Sequence, residues 1–246
     1  MSLPVHLVPT LEGAAVGSTV TVEGDEAHHA VAVRRLRVGE GVVLTDGAGT
    51  SVTAEVTSTG KRVFEAVVAD VRRVAAPTPA VVVVQALPKG DRGELAVEVL
   101  TEVGVAGVVP WAASRSVAVW KGERAAKSLA KWRSTAREAA KQARRSWFPE
   151  VSDLASTADV VALLESATLG VVLHEEASLP LAALEVPVEG PVVVVVGPEG
   201  GLTEEEVAAF TVAGASSVRL GAEVLRTSTA GVAAVAALLS RTSRWG

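Results

Sequence analysis

PVVVVVGPEGGLTEEEVAAF, running from Pro191 to Phe210, joins an unbroken run of valines to a glycine loop and then to an acidic segment. The valine run predicts a strand at Val192–Val196, and Ala80–Ala86, apolar except for Gln85, reads as a strand of the kind buried on both faces of a parallel sheet. Thr203 stands as an N-cap with Glu206 three positions on, the pair that closes a capping box, so a helix is expected over Glu204–Phe210. A strand passing through Gly197-Pro198-Glu199-Gly200-Gly201 into a helix puts flexible backbone at the carboxyl edge of a sheet, where ligands of such folds bind. Two readings stand at this point: a capped turn that holds nothing, or one wall of a ligand pocket.

The loop has neither the glycine spacing nor the Lys-Ser/Thr ending of a nucleotide-triphosphate loop, and Glu204, Glu205 and Glu206 oppose phosphate. The same acidity suits a ligand with a positive centre, or a neutral one held by main-chain groups. S-adenosylmethionine, a sulfonium with an adenine ring and no phosphate, meets that description. A second strand–loop–helix passage, Val218 to Ala230, carries Gly221 in its loop and Thr227 or Ser228 as candidate helix caps. Two such loops from neighbouring strands make the walls of one pocket. Arg226 at its mouth reads either as a functional cation or as a solvated or helix-end ion-paired arginine.

Outward from these loops, the chain alternates strands and helices. Strands are expected at Ala80–Ala86, Val105–Pro110, Ser116–Trp120, Leu169–Leu173, Val192–Val196 and Ser217–Arg219. Helices are expected at Arg92–Val103, Gly122–Arg145 and Thr227–Leu239. This alternation predicts an α/β domain with a mainly parallel sheet. Residues 1–75 read differently, as short strands (Thr19–Val22, Gly41–Leu44, Ser51–Val56, Arg62–Val71) separated by turns at Asp46-Gly47-Ala48-Gly49 and Ser58-Thr59-Gly60-Lys61, with a short helix at Glu26–Val33. The first 75 residues are thus expected to form a small barrel-like domain and residues 76–246 the α/β domain, joined by the proline-broken connector Val74–Pro79.

With 246 residues, 49% of them hydrophobic, the chain can bury one large core or one moderate core and a small appended one. It holds no cysteine, which excludes disulfides, thiolate metal sites and thiol covalent catalysis, and its four histidines are too scattered for a metal cage. No metal is expected. Nor does the N-terminus read as a signal segment, and no apolar run is long enough to cross a bilayer, so no membrane partner and a cytoplasmic location are expected.

The net charge of −5 is unevenly spread: Ala76–Arg145 carries 12 basic against 6 acidic residues, and Ser146–Gly246 carries 4 against 13. Between Lys121 and Arg145 there are nine basic residues and two acidic ones, interspersed with Trp132 and followed by Trp147. Arg124, Lys127 and Lys131 form one helical cluster, and Arg137, Lys141, Arg144 and Arg145 another. Phosphate binding is the functional reading; a solvated helix face over packed tryptophans is the alternative.

Six pieces in order carry a family resemblance. They are His29, Val33 and Arg35 with Gly39 and Asp46-Gly47; Leu87-Pro88-Lys89-Gly90-Asp91-Arg92; Thr101-Glu102-Val103-Gly104 with Arg115-Ser116; Glu138-Ala139-Ala140-Lys141-Gln142 with Arg144, Arg145 and Pro149; Gly197 to Gly201; and Leu220-Gly221 through Leu225-Arg226-Thr227-Ser228-Thr229-Ala230. On these the chain resembles the RsmE family of 16S rRNA (uracil-N3)-methyltransferases, in the SPOUT superfamily. The resemblance implies a PUA-like RNA-binding β-barrel, an α/β methyltransferase domain with a C-terminal trefoil knot, and a homodimer. It implies S-adenosylmethionine as cofactor and 16S rRNA or the small ribosomal subunit as partner.

It also implies cofactor contacts from Leu173, His174, Gly197, Pro198, Glu199, Gly200, Gly201, Leu220, Gly221, Val224 and Leu225. By analogy, His29, Arg35, Arg92 and Arg115 touch RNA, while Lys89 and Asp91 line the site edge or form a structural ion pair. Arg226 is then the catalytic candidate, stabilising a developing uracil anion or orienting the base. The family commonly has Glu where this chain has Ser228, which removes any carboxylate role there; Glu223 and Glu199 are the candidate substitutes. Two other functions fit the same features: a knotted methyltransferase acting on a ribose hydroxyl or another base, and a noncatalytic RNA-binding assembly protein.

Overall fold

Alternation of inward and outward residues builds the first part of the chain. In the computed structural model, which describes residues 3–245, the strands β1 (Val5–Leu7), β2 (Thr19–Glu23), β3 (Gly41–Thr45), β4 (Thr50–Thr59) and β5 (Val63–Arg73) form one sheet in the order β1-β3-β4-β5-β2. All pairings are antiparallel except that of β1 with β3. Every second residue of β4 and β5 faces inward, so Val52, Ala54, Val56, Phe64, Ala66 and Val68 share one core with Val22 of β2 and Val42 and Leu44 of β3. Register shifts in β4 at Thr53/Ala54 and Val56/Ser58 bend the long hairpin, and both edge regions of the sheet meet in that single core, which gives a barrel-like unit.

The helix expected at Glu26–Val33 is instead two short pieces. The helix α1 (Gly24–His28) passes directly into a π-helical turn at His29–Val33, and this widened turn buries Ala30 beside Ala27 while leaving His29 exposed. The chain divides into two compact units, Met1–Ala76 with Lys141–Phe148, and Pro77–Ala140 with Pro149–Gly246. The first therefore contains a returning segment that a single cut in the sequence does not foresee. Trp147 Nε1 donates to the Val74 carbonyl at 2.8 Å, and the Gly49 amide donates to the Ser146 carbonyl at 2.9 Å. Gly49 sits at φ +100° with Trp147 only 2.7 Å from where a Cβ would stand, so both the backbone and the space require glycine. Glu26 anchors the same segment, accepting from Lys141 Nζ at 3.1 and 3.2 Å while standing 3.2 Å from His6 Nδ1.

The second unit is built on β6 (Ala80–Ala86), α2 (Arg92–Val103), β7 (Gly107–Trp111), α3 (Glu123–Gln142, whose last residues belong to the first unit), β8 (Glu150–Val151), α4 (Thr157–Glu165), β9 (Leu169–Leu173), β10 (Pro191–Val196), α5 (Glu204–Val212), β11 (Ser216–Val218) and α6 (Thr227–Leu239). The six strands are all parallel, in the order β11-β9-β10-β6-β7-β8. Val192, Val194 and Val196 pack with α2 and α6 on one face, and Val193 and Val195 with α4 and α5 on the other, which is why β10 reads as an unbroken valine run. From β6 the chain moves to β7 on one side; from β10 it moves past β9 to β11 on the other. The two diverging connections open a crevice at the carboxyl ends of adjacent strands β6 and β10, the switch point where α/β sheets place ligands.

Ser116–Trp120 is not a strand. Its alternation arises because Ala118 and Trp120 pack against the core while Val117 and Val119 face outward, and Trp120 meets Trp132 edge-on at 5.1 Å. The helix α4, absent from the sequence expectations, is announced by Ser156 and Asp159, which close a capping box.

Candidate active site

The carboxyl ends of β9, β10 and β11 bring together Leu173-His174, Gly197–Gly201 and Leu220–Arg226, because β9 lies between the other two strands. The His174 amide donates to the Val218 carbonyl at 2.9 Å. The Arg219 amide donates to Leu179 O and the Leu181 amide to Arg219 O, both at 2.9 Å, so the crossover after β9 is laced to the chain leaving β11.

The glycine loop is held from several sides. Glu199 Oε1 accepts from the Lys89 amide at 3.2 Å and lies 3.8 Å from Arg92 Nη1. Arg115 Nη1 donates to Leu202 O at 3.2 Å and reaches Gly200 O at 3.5 Å. A Cβ on Gly200 would stand 2.9 Å from the Arg115 carbonyl oxygen, so the loop backbone can approach Arg115 this closely only without a side chain. The capping box of α5 forms as expected, but Glu206 does more: it is buried and its Oε1 also accepts from the Ser114 amide at 2.8 Å. Of the three glutamates, Glu206 is therefore structural, while Glu204 and Glu205 stay exposed. A hydrogen bond from its own main-chain amide and one from the Thr203 side chain lower the carboxyl pKa of Glu205.

The second wall is different in kind. Gly221–Arg226 is exposed throughout, including Val224 and Leu225, and among the described residues no main-chain hydrogen bond reaches Leu220–Leu225. Neither Thr227 nor Ser228 caps α6. Arg226 occupies the cap position without a side-chain bond, and Thr227 Oγ1 is committed instead to the Gly197 carbonyl at 2.6 Å. Among the described residues, the Thr227 and Ser228 amides have no partner, and the Arg226 guanidinium has neither ion pair nor hydrogen bond, so the helix-end salt bridge does not form. Ser228 is buried; Glu199 is occupied as described, and Glu223 is exposed beside Gly221.

These features fit a ligand read through main-chain groups: unpaired amides and carbonyls on one wall, a tied glycine loop on the other, and a cation at the mouth. Among the described residues no three His, Asp or Glu side chains are arranged to hold a metal, and no helix is long and apolar enough to cross a membrane.

The basic residues separate into groups. Lys89, Arg92 and Arg115 stand at the rim of the glycine loop. Lys127 on α3 is exposed, Lys131 pairs with Glu94 at 2.9 Å, and Arg137 lies 3.5 Å from Glu138. Lys141 is turned inward onto Glu26 and serves the packing of the first unit. There, burial opposes the charge of Glu26, but the hydrogen bond with His6 and the ammonium of Lys141 outweigh it and lower the carboxyl pKa to about 2. His29 and Arg35 are exposed in the same unit, as is Arg144, while Arg145 is half-buried. Arg35 and Arg144 hold left-handed backbone at φ 58° and 53°. Trp132 is buried and Trp147 half-buried, which places Trp132 in packing.

A family model for an RNA methyltransferase domain matches residues 75–239, and one for an RNA methyltransferase PUA domain matches residues 22–68. Ribosomal RNA small subunit methyltransferase E of Mycobacterium bovis is 45% identical over 235 residues, covering 93% of this chain and 89% of the relative. The Bacillus subtilis protein of the same name is 31% identical over 232 residues, covering 91% of each. Among solved structures, ribosomal RNA small subunit methyltransferase E from Neisseria gonorrhoeae, bound to S-adenosyl methionine, superposes with a TM-score of 0.86 at 29% identity, over 97% of this chain and 98% of that one. A Legionella pneumophila methyltransferase in complex with the same cofactor gives 0.89 at 26% identity, over 98% and 99%. The chain belongs to the ribosomal RNA small subunit methyltransferase E family.

Proposed function

We propose that this member of the family transfers a methyl group from S-adenosylmethionine to N3 of a uridine in 16S ribosomal RNA. The observation that carries the reading is the pairing of a tied glycine loop with an exposed loop at one sheet edge that has no main-chain hydrogen bond among the described residues, beside an arginine with no partner among them. When bound, the cofactor supplies an electrophilic methyl group. The chain's own part is to hold and orient: main-chain groups of Leu220–Leu225, with Leu173, His174 and the Gly197–Gly201 loop, bind the donor.

N3 of uracil carries a proton at neutral pH, so transfer requires its loss and stabilisation of the charge left on the base. Arg226 and the unpaired amides at the start of α6 supply positive potential for that charge. Arginine is too basic to take the proton itself. Because N3 lies on the pairing edge, the uridine must be unpaired, and RNA is held outside the site. We assign that role to Lys89, Arg92, Arg115, Lys127, Lys131 and Arg137 of the second unit and to His29, Arg35, Arg144 and Arg145 of the first. Lys141 is left out because Glu26 occupies it.

The same reading includes the cytoplasm, the homodimer and the trefoil knot. The knot is supported by the lacing of Arg219 to Leu179 and Leu181, and by the Arg241 guanidinium on the carbonyls of Leu181 and Leu184. Mass spectrometry of nucleosides from small-subunit RNA incubated with the protein and labelled cofactor tests the reaction. 3-Methyluridine is expected; label in a ribose or in another base would replace the assignment, and no label would leave an RNA-binding protein.

A further inference from the structure

Gln85 is a fully buried polar residue in a strand otherwise made of valine and alanine. Strand alternation puts its side chain on the face of Val81 and Val83, beneath the first turn of α6, where an aliphatic side chain would leave no polar atom to satisfy. Its amide nitrogen donates to Thr227 Oγ1 at 3.2 Å and reaches the carbonyls of Thr227 and Ala86 at 3.3 and 3.1 Å. Thr227 Oγ1 gives its own hydrogen to the Gly197 carbonyl, so it can only accept from Gln85, which sets the orientation of the amide. Among the described residues, the buried amide oxygen of Gln85 has no hydrogen-bond partner.

From this chain of bonds we infer that Gln85 is a positioning residue for methyl transfer. Acting through Thr227, it locks the start of α6 to the first carbonyl of the glycine loop, and so holds Arg226 and Gly197 at a constant spacing. The inference rests on the function proposed above. A buried amide with half its capacity unused is a poor way to stabilise a fold, because removing it also removes an unpaired oxygen. Stability and activity therefore separate when it is replaced.

The test uses Gln85→Met, which is apolar and of similar length, Thr227→Val, which keeps shape without the hydroxyl, Thr227→Ser, which keeps the hydroxyl, and the Gln85→Met/Thr227→Val pair. Gln85→Met is expected to melt within ~3 °C of the parent protein. Single-turnover methyl transfer to small-subunit RNA falls about tenfold, with a smaller change in cofactor affinity by calorimetry. Thr227→Val falls about as far, the pair falls no further than either alone, and Thr227→Ser stays within about twofold. In the free protein, amide exchange over residues 197–202 quickens in Gln85→Met and Thr227→Val. Parental transfer and exchange in Gln85→Met, or losses that multiply in the pair, would overturn the inference. If Gln85→Met does not fold, the contrast between Thr227→Val and Thr227→Ser decides. If the parent protein neither binds the cofactor nor methylates RNA, the proposed function falls, and exchange in the free variants still decides whether the link exists.

Discussion

The two loops that face each other at the sheet edge are built on opposite principles. Gly197–Leu202 is fastened by Glu199 to the Lys89 amide, by Arg115 to two loop carbonyls and by Thr227 to Gly197, whereas Gly221–Leu225 is exposed and Leu220–Leu225 carries no main-chain hydrogen bond among the described residues. One wall is organised before any ligand arrives. The other keeps its amides and carbonyls free, and a loop with unspent hydrogen bonds gains most from a ligand that supplies them. On the function proposed above, specific shape comes from the first wall and much of the binding energy from the second.

The sharpest way to break that comparison is at the cation between the walls. Arg226→Ala is expected to lower single-turnover methyl transfer ~100-fold or more while cofactor affinity, measured by calorimetry, changes less than about threefold. Equal losses in both would make Arg226 part of the cofactor grip instead. Alanine at a glycine of each wall comes next. Gly200→Ala must displace the Arg115 backbone, so both melting temperature and cofactor affinity drop, the latter ~tenfold. Gly221→Ala meets its nearest atom at 3.7 Å and should melt like the parent protein, so any loss of affinity reports the ligand alone.

A smaller effect is expected away from both loops. Replacing Lys127, Lys131 and Arg137 with alanine should weaken RNA retention and flatten its dependence on salt by ~0.7 in slope for each phosphate no longer neutralised, with cofactor binding unchanged. An unaltered slope would remove α3 from the RNA surface. The smallest effect on methyl transfer is expected from Glu26→Gln, which acts on stability. The folded pKa of Glu26 is about 2, below its ordinary 4.5, so its contribution is present above pH 4.5 and is lost as pH falls towards 2. Acid denaturation followed by fluorescence should lose that part of its pH dependence in Glu26→Gln, while activity at neutral pH changes little.

Much of the second unit was legible because burial and periodicity agree there. The valines of β9 and β10 and the apolar run of α6 mark both their elements and their ends, and the Thr203/Glu206 cap forms as its spacing predicts. Ser116–Trp120 misled because alternation records which side of a segment is buried, not whether a neighbouring strand exists to bond it. The outer neighbour of β7 is β8, supplied by Glu150–Val151, too short a strand to mark its own place in the sequence. Lys141 belonged by charge to the basic helix, yet Glu26, 115 positions away, claims it. Gln85 carried a signal in being the polar residue of a valine strand, but its partner Thr227 lies 142 positions on, and only the fold names it.

By itself, the order of apolar, glycine and capping residues determined which segments become strands and helices and that glycine loops cap the parallel strands, because those choices depend on neighbours along the chain. The tertiary structure decided which loop is tied and which is free, which cations face inward, and how Gln85, Thr227 and Gly197 meet. Those outcomes depend on hydrogen bonds and charges between residues far apart in sequence, whose pairing exists only after the sheet has set its strand order.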